Sequence, residues 1–310
     1  MSTLKASSTL THKKTANQDY HANFRNHKLD FNCIIVADGI GSHPRSELSS
    51  KFCVLKLQDI LENIEDSNKL NFRDIFSVVK NGLTLYAQAS DEITSDELKS
   101  TILGTTLICV LEFEDYYDIA YIGNGSIWHI SANFNRFSPN QYVPWNSINI
   151  LNPHIVEENG STLGFISLNL LNPHTVEENG KSALYKYFSI DPNVSVVPTC
   201  IRLSKDKDIF GEIIVIASDG LYTNDAILAG KDDNGTVWIK GDENMILFYT
   251  MLNSLFINGT NDMSDGDVLL NIDSYLNVLK DKGLMQDDTT IGILISEQAL
   301  KYQNIKPTIR

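Results

Sequence analysis

Acidic residues stand at the ends of three apolar segments. Asp38 follows the run CIIVA, Asp219 follows IIVIAS, and Asp287 and Asp288 come shortly before IGILI. Short apolar runs rich in β-branched residues predict strands that are buried on both faces. An unpaired carboxylate is costly to bury, so each is expected at the end of its strand, facing water or a cation. These residue types therefore suggest a cation-binding site.

The direction of the last strand decides whether these carboxylates meet. If that strand runs antiparallel to the other two, all of the acidic residues reach the same edge. Crowded carboxylates repel one another unless something positive binds between them. Ligand sets made only of oxygen suit Mg²⁺ or Mn²⁺ far better than zinc. Gly39 and Gly41 follow Asp38 and let the backbone turn tightly and approach a ligand closely.

The charge balance narrows the function further. The formal net charge is −14, which argues against a nucleic-acid partner, whose phosphates demand a basic surface. It also argues against adhesion to anionic membranes. A phosphate-bearing substrate would be repelled as well unless bound cations reverse the local field. Bound metal thus becomes more necessary if the substrate is a phosphate ester.

Length, cysteines and the N-terminus indicate an ordinary globular protein. A chain of 310 residues can form one large domain with a substantial core. The cysteines are irregularly spaced and form no Cys/His cluster, so we expect reduced core thiols rather than a zinc site. The N-terminus lacks the apolar region of a signal peptide, and no apolar run is long enough to span a membrane. We expect a cytoplasmic location. The cysteines are Cys33, Cys53, Cys109 and Cys200.

The first half of the chain predicts two helices among strands. Apolar residues at helical spacing predict helices from Ser46 to about Ile64 and from Phe72 to Ile93. Short strands are expected at 3–10 and 20–26, flanking a polar loop that contains Lys14 and Asp19. Three strands should follow the helices: Leu103–Glu112, Tyr117–Ile122 and Ser126–Ile130.

The second half predicts the same kinds of element. Two amphipathic helices are expected near Met245–Ile257 and Val268–Lys280, and a last strand at Thr289–Ile295. Hairpins and helical pairs without a regular βαβ alternation favour an α+β fold with mostly antiparallel sheets and helices on their outer faces. We expect one domain over residues 1–310 with an insertion at about 131–183.

Two local features qualify this outline. Gly123-Asn124-Gly125 lies between two predicted strands and predicts a β-hairpin. The insertion contains a tandem duplication, LNPHIVEENG at 151–160 and LNPHTVEENG at 171–180. Each copy predicts one short helix that begins after an asparagine cap and a proline and ends at a glycine. Each copy also carries one histidine, His154 or His174, without a close second ligand that would make a metal site.

Six short motifs occur in a fixed order along nearly the whole chain. Together they resemble the type-2C metal-dependent serine/threonine protein phosphatases. The motifs are NQD (17–19), ADGIG (37–41), LGTTL (103–107), YIGNGS (121–126), ASDGL (217–221) and QDDTTI (286–291).

The resemblance implies a four-layer αββα sandwich, with two antiparallel sheets flanked by helical pairs and a site for two Mg²⁺ or Mn²⁺ ions at one end. Asp38 would bridge both ions, and the carbonyl of Gly39 would bind one of them. Asp219 and Asp287 would hold the other ion. Asp19 would act through metal-bound water, so that Asp38 and Asp19 are the catalytic carboxylates.

The resemblance also implies a phosphate-binding cation and leaves a third ion in doubt. Lys14 takes the position of an arginine that clamps the substrate phosphate, and lysine lacks the planar guanidinium fork. Asn124 replaces an aspartate that is frequent in the family, which argues against a third ion.

Three further positions depart from the family pattern. Ser42 replaces a glycine. Ile40 stands where some members have a histidine that is a candidate proton donor. His43 lies three residues on and could substitute for it, although an ordinary loop histidine is the simpler interpretation. Asp288 replaces a frequent asparagine and adds negative charge that could tighten or misplace the metal.

Several functions stay open at the level of the sequence. Asp-Gly is common in turns, so the acidic sites could be strand-terminating turns alone. The leading hypothesis is hydrolysis of phosphoserine or phosphothreonine in proteins by metal-activated water, with a phosphoprotein as substrate and a cognate kinase or its target as partner. The second is a catalytically weak, phosphatase-like binding module, suggested by Lys14, Ser42 and Asn124. The third is a phosphatase that acts on a small phosphomonoester.

Overall fold

The computed structural model describes most of the chain from Thr3 to Ala299. Lys14 and His154 lie outside the described residues. The described residues are 3–12, 16–93, 103–131, 156–158, 161–163, 168–169, 174–178, 181–205, 212–221, 228–231, 237–240, 243–244, 247–248, 250–252, 263–297 and 299.

The strands and helices have the following bounds. The strands are β1 (Leu4–Leu10), β2 (Asp19–Asn26), β3 (Phe31–Asp38), β4 (Leu107–Glu112), β5 (Tyr116–Ile122), β6 (Ser126–Ser131), β7 (Val156–Glu158), β8 (Ser161–Leu163), β9 (Leu168–Asn169), β10 (Thr175–Glu178), β11 (Lys181–Leu184), β12 (Thr199–Ser204), β13 (Glu212–Ala217), β14 (Leu228–Lys231), β15 (Val237–Lys240) and β16 (Thr289–Ile295). The helices are α1 (Ser46–Asn63), α2 (Phe72–Ala89) and α3 (Asp265–Asp281).

Two five-stranded antiparallel sheets form the body of the protein. The first has the strand order β12-β5-β4-β3-β2, and the second has the order β1-β16-β13-β6-β9. Helices α1 and α2 cover the outer face of the first sheet, and α3 with the helical residues described within 243–252 covers the second. The predicted four-layer αββα sandwich is therefore confirmed.

Strand β3 is buried on both faces, as its composition predicts. Cys33, Ile35 and Ala37 pack against α1 and α2, whereas Ile34 and Val36 face the second sheet. Because side chains alternate along a strand, Asp38 continues the row that faces the second sheet. The sequence of β3 thus places a carboxylate at one end of the layer between the two sheets.

The predicted hairpin at Gly123-Asn124-Gly125 is wrong. Strands β5 and β6 flank this segment but belong to different sheets, so the turn carries the chain across the sandwich. Gly123 and Gly125 have φ angles of 101° and 117°, a left-handed conformation that favours glycine. A Cβ atom on Gly125 would also lie 2.7 Å from the carbonyl oxygen of Ala217. The glycines therefore serve a tight crossover between sheets.

The predicted helices in the duplicated segment are also wrong. Each copy instead supplies the first strand and the turn of an antiparallel pair, which is β7–β8 for the first copy and β10–β11 for the second. Glu158 pairs with Ser161 and Glu178 pairs with Lys181, so two residues separate the strands in each copy. In both copies these two residues are Asn-Gly, which is the strongest short-range signal for a hairpin. This turn chemistry outweighed the capping pattern.

Other boundaries differ by a few residues. Helix α1 begins at Ser46 as expected, while α2 ends at Ala89 rather than at Ile93. Strand β4 begins at Leu107, and Thr105 before it forms isolated bridges with Gly39 and Phe188. The described cysteines are free thiols. Among the described helices, none has the length and apolarity to cross a bilayer.

Asn26 joins the first sheet to the end of α1. Its amide donates to the carbonyls of Leu61 and Ile64, and its oxygen accepts the amides of Lys28 and Leu29. We predict that Asn26→Ala lowers the free energy of unfolding by about 2–4 kcal/mol, because these buried backbone groups would lose their partners. Urea unfolding measures the change. The control is Asn63→Ala in the last turn of α1, whose side chain is exposed and which should change stability by less than about 0.5 kcal/mol. Equal effects of the two substitutions would contradict the prediction.

Candidate active site

Three carboxylates from both sheets meet at one end of the sandwich. Asp19 and Asp38 are direct partners across β2 and β3 of the first sheet. Asp219 begins a short 3₁₀ turn directly after β13 of the second sheet. The carboxyl group of Asp38 lies close enough to those of Asp19 and Asp219 for their charges to raise its pKa. The structure therefore brings together three of the acidic residues that the sequence singled out.

The backbone around Asp38 is held from two sides. Its amide donates to Oγ1 of Thr106 at 3.1 Å, and its carbonyl accepts Oγ1 of Thr105 at 2.9 Å. The amide of Gly39 donates to the carbonyl of Gln18 at 3.0 Å. A Cβ atom on Gly39 would lie 2.8 Å from that same oxygen, so only glycine fits this close approach. The LGTTL segment and the glycine thus fix the position of the carboxylate.

Ser218 links Asp19 to the opposite sheet. Its hydroxyl donates to Oδ2 of Asp19 at 2.7 Å and accepts the amide of Thr290 at 2.9 Å. Asp19 itself is only 3% exposed, and its other oxygen, Oδ1, is buried without a hydrogen-bond partner. A buried carboxylate oxygen without a partner is costly, and a cation would satisfy it.

Asp219 is oriented by Asn124, which stands where the type-2C phosphatases that the sequence resembles often have an aspartate. The amide nitrogen of Asn124 donates to Oδ2 of Asp219 at 2.7 Å. Beside it, a Cβ atom on Gly220 would lie 2.0 Å from the carbonyl oxygen of Asp288. The ends of β13 and β16 are therefore in contact at this edge, as the antiparallel arrangement predicts.

Asp287 and Asp288 occupy different environments. Asp287 is exposed, and its Oδ1 accepts the amide of Asp288 at 2.8 Å. Asp288 is buried and binds backbone instead: Oδ1 accepts the amide of His12 and Oδ2 accepts the amide of Gln18, both at 2.8 Å. Asp288 thus ties together the two ends of the loop that carries Lys14. The sequence singled out its charge but missed this role, because only the fold brings His12 and Gln18 to it.

Burial and mutual repulsion disturb the acid–base properties of the cluster. Burial, followed by the charges of Asp19 and Asp219, raises the pKa of Asp38 well above its usual value. Burial raises the pKa of Asp19 to about 7, although its hydrogen bonds, first that from Ser218, oppose the rise. Raised carboxyl pKa values mean that the negative charges are poorly compensated by the protein. A divalent cation would compensate them in place of protons, so the donor set fits a hard metal ion.

The carboxylates are not yet arranged as a complete coordination shell. Within the described part of the chain, no group of three or more His, Cys, Asp or Glu side chains has the arrangement of a metal site. Asp38 is partly exposed, which leaves the cluster open to solvent. Ion binding would therefore require adjustment of these carboxylate side chains.

A pocket of about 470 Å³ opens beside Asp219 and Asn124. His43 and Ser42 line it, so the loop that follows Asp38 does reach the site. The ring of His43 packs edge-on against Tyr187 at 5.3 Å, and burial lowers its pKa. The other lining residues are Ile40, Thr175, Ala183, Leu184 and Tyr187.

His174 is a residue near the site whose role sequence reasoning missed. Its Nδ1 accepts the amide of Gly123 at 3.0 Å, and its own amide donates to the carbonyl of Gly123 at 3.0 Å. Its Nε2 is hydrogen-bonded to Oγ1 of Thr199 at 2.8 Å, and the ring stacks on Tyr121. Both ring nitrogens are thus engaged with the protein. The signal was the histidine that recurs in each duplicated copy.

Comparisons with known proteins agree with this architecture. Residues 8–142 match the family model of protein phosphatase 2C. The fold is similar to that of a bacterial serine phosphatase, at 17% identity and a TM-score of 0.58, over 94% of this chain and 97% of that one. It is also similar to the serine/threonine phosphatase Stp1 from Staphylococcus aureus, at 18% identity and a TM-score of 0.57, over 96% and 95% of the two chains.

A third similar structure contains metal. It is the catalytic domain of the serine/threonine protein phosphatase PstP in complex with two manganese ions, at 14% identity and a TM-score of 0.53, over 94% of this chain and 97% of that one. At these identities the structural similarity concerns the fold. No match was found among curated proteins.

The contacts of His174 predict a pH dependence of stability. Burial, followed by the charge of Lys186, lowers the pKa of His174 to about 4 from 6.5. As the pH falls, His174 is therefore protonated in the unfolded chain before it is protonated in the folded protein. The contribution of neutral His174 to the free energy of unfolding is fully present above pH 6.5 and is lost as the pH falls toward 4. A protonated Nδ1 would also face the amide of Gly123 donor to donor. The loss should reach about 3 kcal/mol, at about 1.4 kcal/mol per pKa unit.

Urea unfolding of the wild type and of His174→Asn between pH 7 and pH 4 measures this contribution. Asparagine keeps an acceptor for the amide of Gly123 and cannot be protonated in this range. The difference in stability between the two proteins should therefore shrink as the pH falls. A constant difference across the range would rule out the coupling.

Proposed function

We propose that this chain, of which residues 8–142 match the family model of protein phosphatase 2C, hydrolyses phosphoserine and phosphothreonine in proteins with the help of two Mg²⁺ or Mn²⁺ ions. The observation that carries the proposal is the proximity of Asp38 to both Asp19 and Asp219, drawn from two different sheets. A mere strand-terminating turn would need no such convergence. The cognate kinase and the cytoplasmic location stay predictions from the sequence.

The residues at this end of the sandwich would hold the ions as the resemblance implies. Asp38 would be shared between both ions, with the carbonyl of Gly39 on one side and Asp219 and Asp287 on the other. Asp19 would act through water bound to the metal. When bound, such a pair of ions supplies a reactive water and neutralises charge on the phosphoryl group.

The protein's own groups would orient this set. Ser218 holds one oxygen of Asp19 and leaves the other available. Asn124 fixes the rotation of Asp219. Asp288 joins the segments on either side of Lys14 through its bonds to the amides of His12 and Gln18. The resemblance implies that Lys14 binds the substrate phosphate.

A second candidate function is a catalytically weak binding module with the same fold. One observation favours this function. Asn124 stands where the resemblance expects an aspartate that could bind a further metal ion, and its amide donates to Oδ2 of Asp219 instead. Calorimetric titration with Mn²⁺ separates the two functions. An enzyme of this kind binds two ions, whereas a module that only recognises phosphoprotein binds one ion or none.

The direct test is release of phosphate from phosphoserine and phosphothreonine peptides with and without Mn²⁺. We expect activity that depends on the metal and falls by at least about 100-fold in Asp38→Asn, the scale of losing an electrostatic group aimed at the reacting centre. Asp281→Asn removes an exposed carboxylate at the end of α3 and should retain full activity. Absence of Mn²⁺-dependent hydrolysis in the wild type would refute the enzymatic proposal. Hydrolysis of a small aryl phosphate but of no phosphopeptide would favour the small-molecule alternative.

Asp38→Asn should raise the stability of the metal-free protein, although it lowers the activity. In metal-free protein it removes one of three mutually repelling carboxylates, so we expect the melting temperature to rise by about 2–4 °C. Mn²⁺ should raise the melting temperature of the wild type by preferential binding to the folded state and should have little effect on the variant. Differential scanning calorimetry with and without Mn²⁺ measures both. The idea fails if the metal-free variant is less stable than the wild type or responds equally to Mn²⁺.

A further inference from the structure

The tandem duplication extends beyond the two ten-residue copies at 151–160 and 171–180. Residues 147–166, here called unit 1, and residues 167–186, called unit 2, align without gaps, and eleven of the twenty positions are identical. Their hairpins also have the same register: Val156 pairs with Leu163 in unit 1, and Val176 pairs with Ala183 in unit 2. The two units are thus copies in sequence and in hairpin geometry.

Unit 2 is docked between the crossover turn and the edge of the second sheet. Leu168 and Asn169 pair with His129 and Trp128 of β6 through the backbone. His174 binds Gly123 by the two hydrogen bonds described above, and its ring stacks on Tyr121 of β5. We call this place the docking position.

The docking position recognises features that unit 1 also has. Pairing with β6 uses backbone groups, which any residue except proline supplies. The histidine recurs as His154. Within unit 2 the ring of Tyr185 packs against His174, and unit 1 has the aromatic residue Phe165 at that position. Even the asparagine at the edge strand recurs, as Asn149. No docking contact named here depends on a residue type that unit 1 lacks.

The units differ where unit 2 faces the pocket beside Asp219. Thr175, Ala183 and Leu184 line this pocket. At the corresponding positions unit 1 has Ile155, Leu163 and Gly164. All three pocket-lining positions thus differ, although more than half of the unit is identical. The duplication has kept the docking residues and changed the surface presented to a ligand.

The connecting chain allows an exchange of the two units. Strand β6 ends at Ser131, and the edge strand of unit 2 begins at Leu168; its counterpart in unit 1 is Ile148. A return over the sixteen residues between Ser131 and Ile148 is ample for an antiparallel neighbour. The twenty residues released on the other side would form a longer surface loop, and loop-closure entropy grows only slowly with length.

We propose that units 1 and 2 are alternative occupants of the docking position, and that the occupant determines which residue next to the phosphorylated side chain the pocket accepts. This rests on the proposed function for its substrate class. With unit 2 docked, Thr175 and Ala183 give a small, partly polar lining. With unit 1 docked, Ile155 and Leu163 give a more apolar lining, and Gly164 opens the side that Leu184 fills. Substrates with an apolar flanking residue would select unit 1.

Hydrogen–deuterium exchange of residues 121–126 tests the docking without reference to catalysis. The amide of Gly123 is protected by the histidine of whichever unit is docked. We expect His154→Ala and His174→Ala each to keep this protection. In the double variant the protection factor should fall at least about fivefold, which corresponds to the loss of one hydrogen bond. The control His27→Ala changes an exposed histidine and should match the wild type.

Two outcomes of the exchange experiment would overturn the proposal. If His174→Ala alone exposes the segment as fully as the double variant, unit 1 cannot take the position. If the double variant keeps the protection, the histidines do not hold the docked unit. Melting temperatures close to that of the wild type verify that each variant is folded.

Excision of whole units tests specificity. Deletion of 147–166 or of 167–186 leaves chains of equal length in which a single unit precedes Tyr187. Both should keep the protection of residues 121–126. Their ratios of kcat/KM for phosphothreonine peptides with an apolar and with a polar flanking residue should differ by about tenfold, with the apolar peptide preferred when unit 1 remains.

The two proposals fail in different ways. Loss of protection when 167–186 is deleted, or identical peptide ratios in the two deletion variants, would refute the exchange of units. Protection retained in both variants together with no phosphatase activity in any of them, including the wild type, would refute the proposed function and leave the shared docking position intact.

Discussion

Repulsion among carboxylates that share one buried end of a β-sandwich is the constraint around which this protein is built. Asp38 lies near Asp19 and Asp219, and burial, with the neighbouring acidic charges, raises the pKa values of Asp38 and Asp19. Such an arrangement is unfavourable for folding by itself. It is understandable as a preformed binding site, where stability is lost in the free protein and regained when a cation binds.

The carboxylate cluster demands that the two sheets keep a fixed relative position, because its side chains come from both. Several hydrogen bonds join the sheets near the site and beyond it. Ser218 of the second sheet donates to Asp19 of the first, and Ser7 of β1 binds His21 and Asn23 of β2. At the far end of the same inner layer, buried Glu112 accepts Thr3, Asn32 and Lys205. Polar groups thus close both ends of an apolar layer and fix its register.

The sequence predicted the elements well where one pattern dominated. The buried strand before Asp38, the start of α1 at Ser46 and the final strand Thr289–Ile295 follow directly from apolar periodicity and capping. It failed where a local signal had two interpretations. Gly123-Asn124-Gly125 joins strands of different sheets, and the duplicated segment forms hairpins although its Asn-Pro start is typical of a helix. Neither case could be decided locally, because sheet membership and pairing depend on distant strands.

The sequence by itself singled out the acidic residues of the candidate site, since Asp38, Asp219 and their glycines interrupt apolar strands where a charge needs a partner. It also determined the layered architecture, through strands and helices whose apolar faces must be covered. Only the tertiary structure decided what each acidic residue does. It separates Asp288, which binds the amides of His12 and Gln18, from its exposed neighbour Asp287, and it makes His174 the contact that docks a duplicated hairpin. The physical reason is that these roles depend on hydrogen bonds between residues far apart in the chain, and neither spacing nor composition records such bonds.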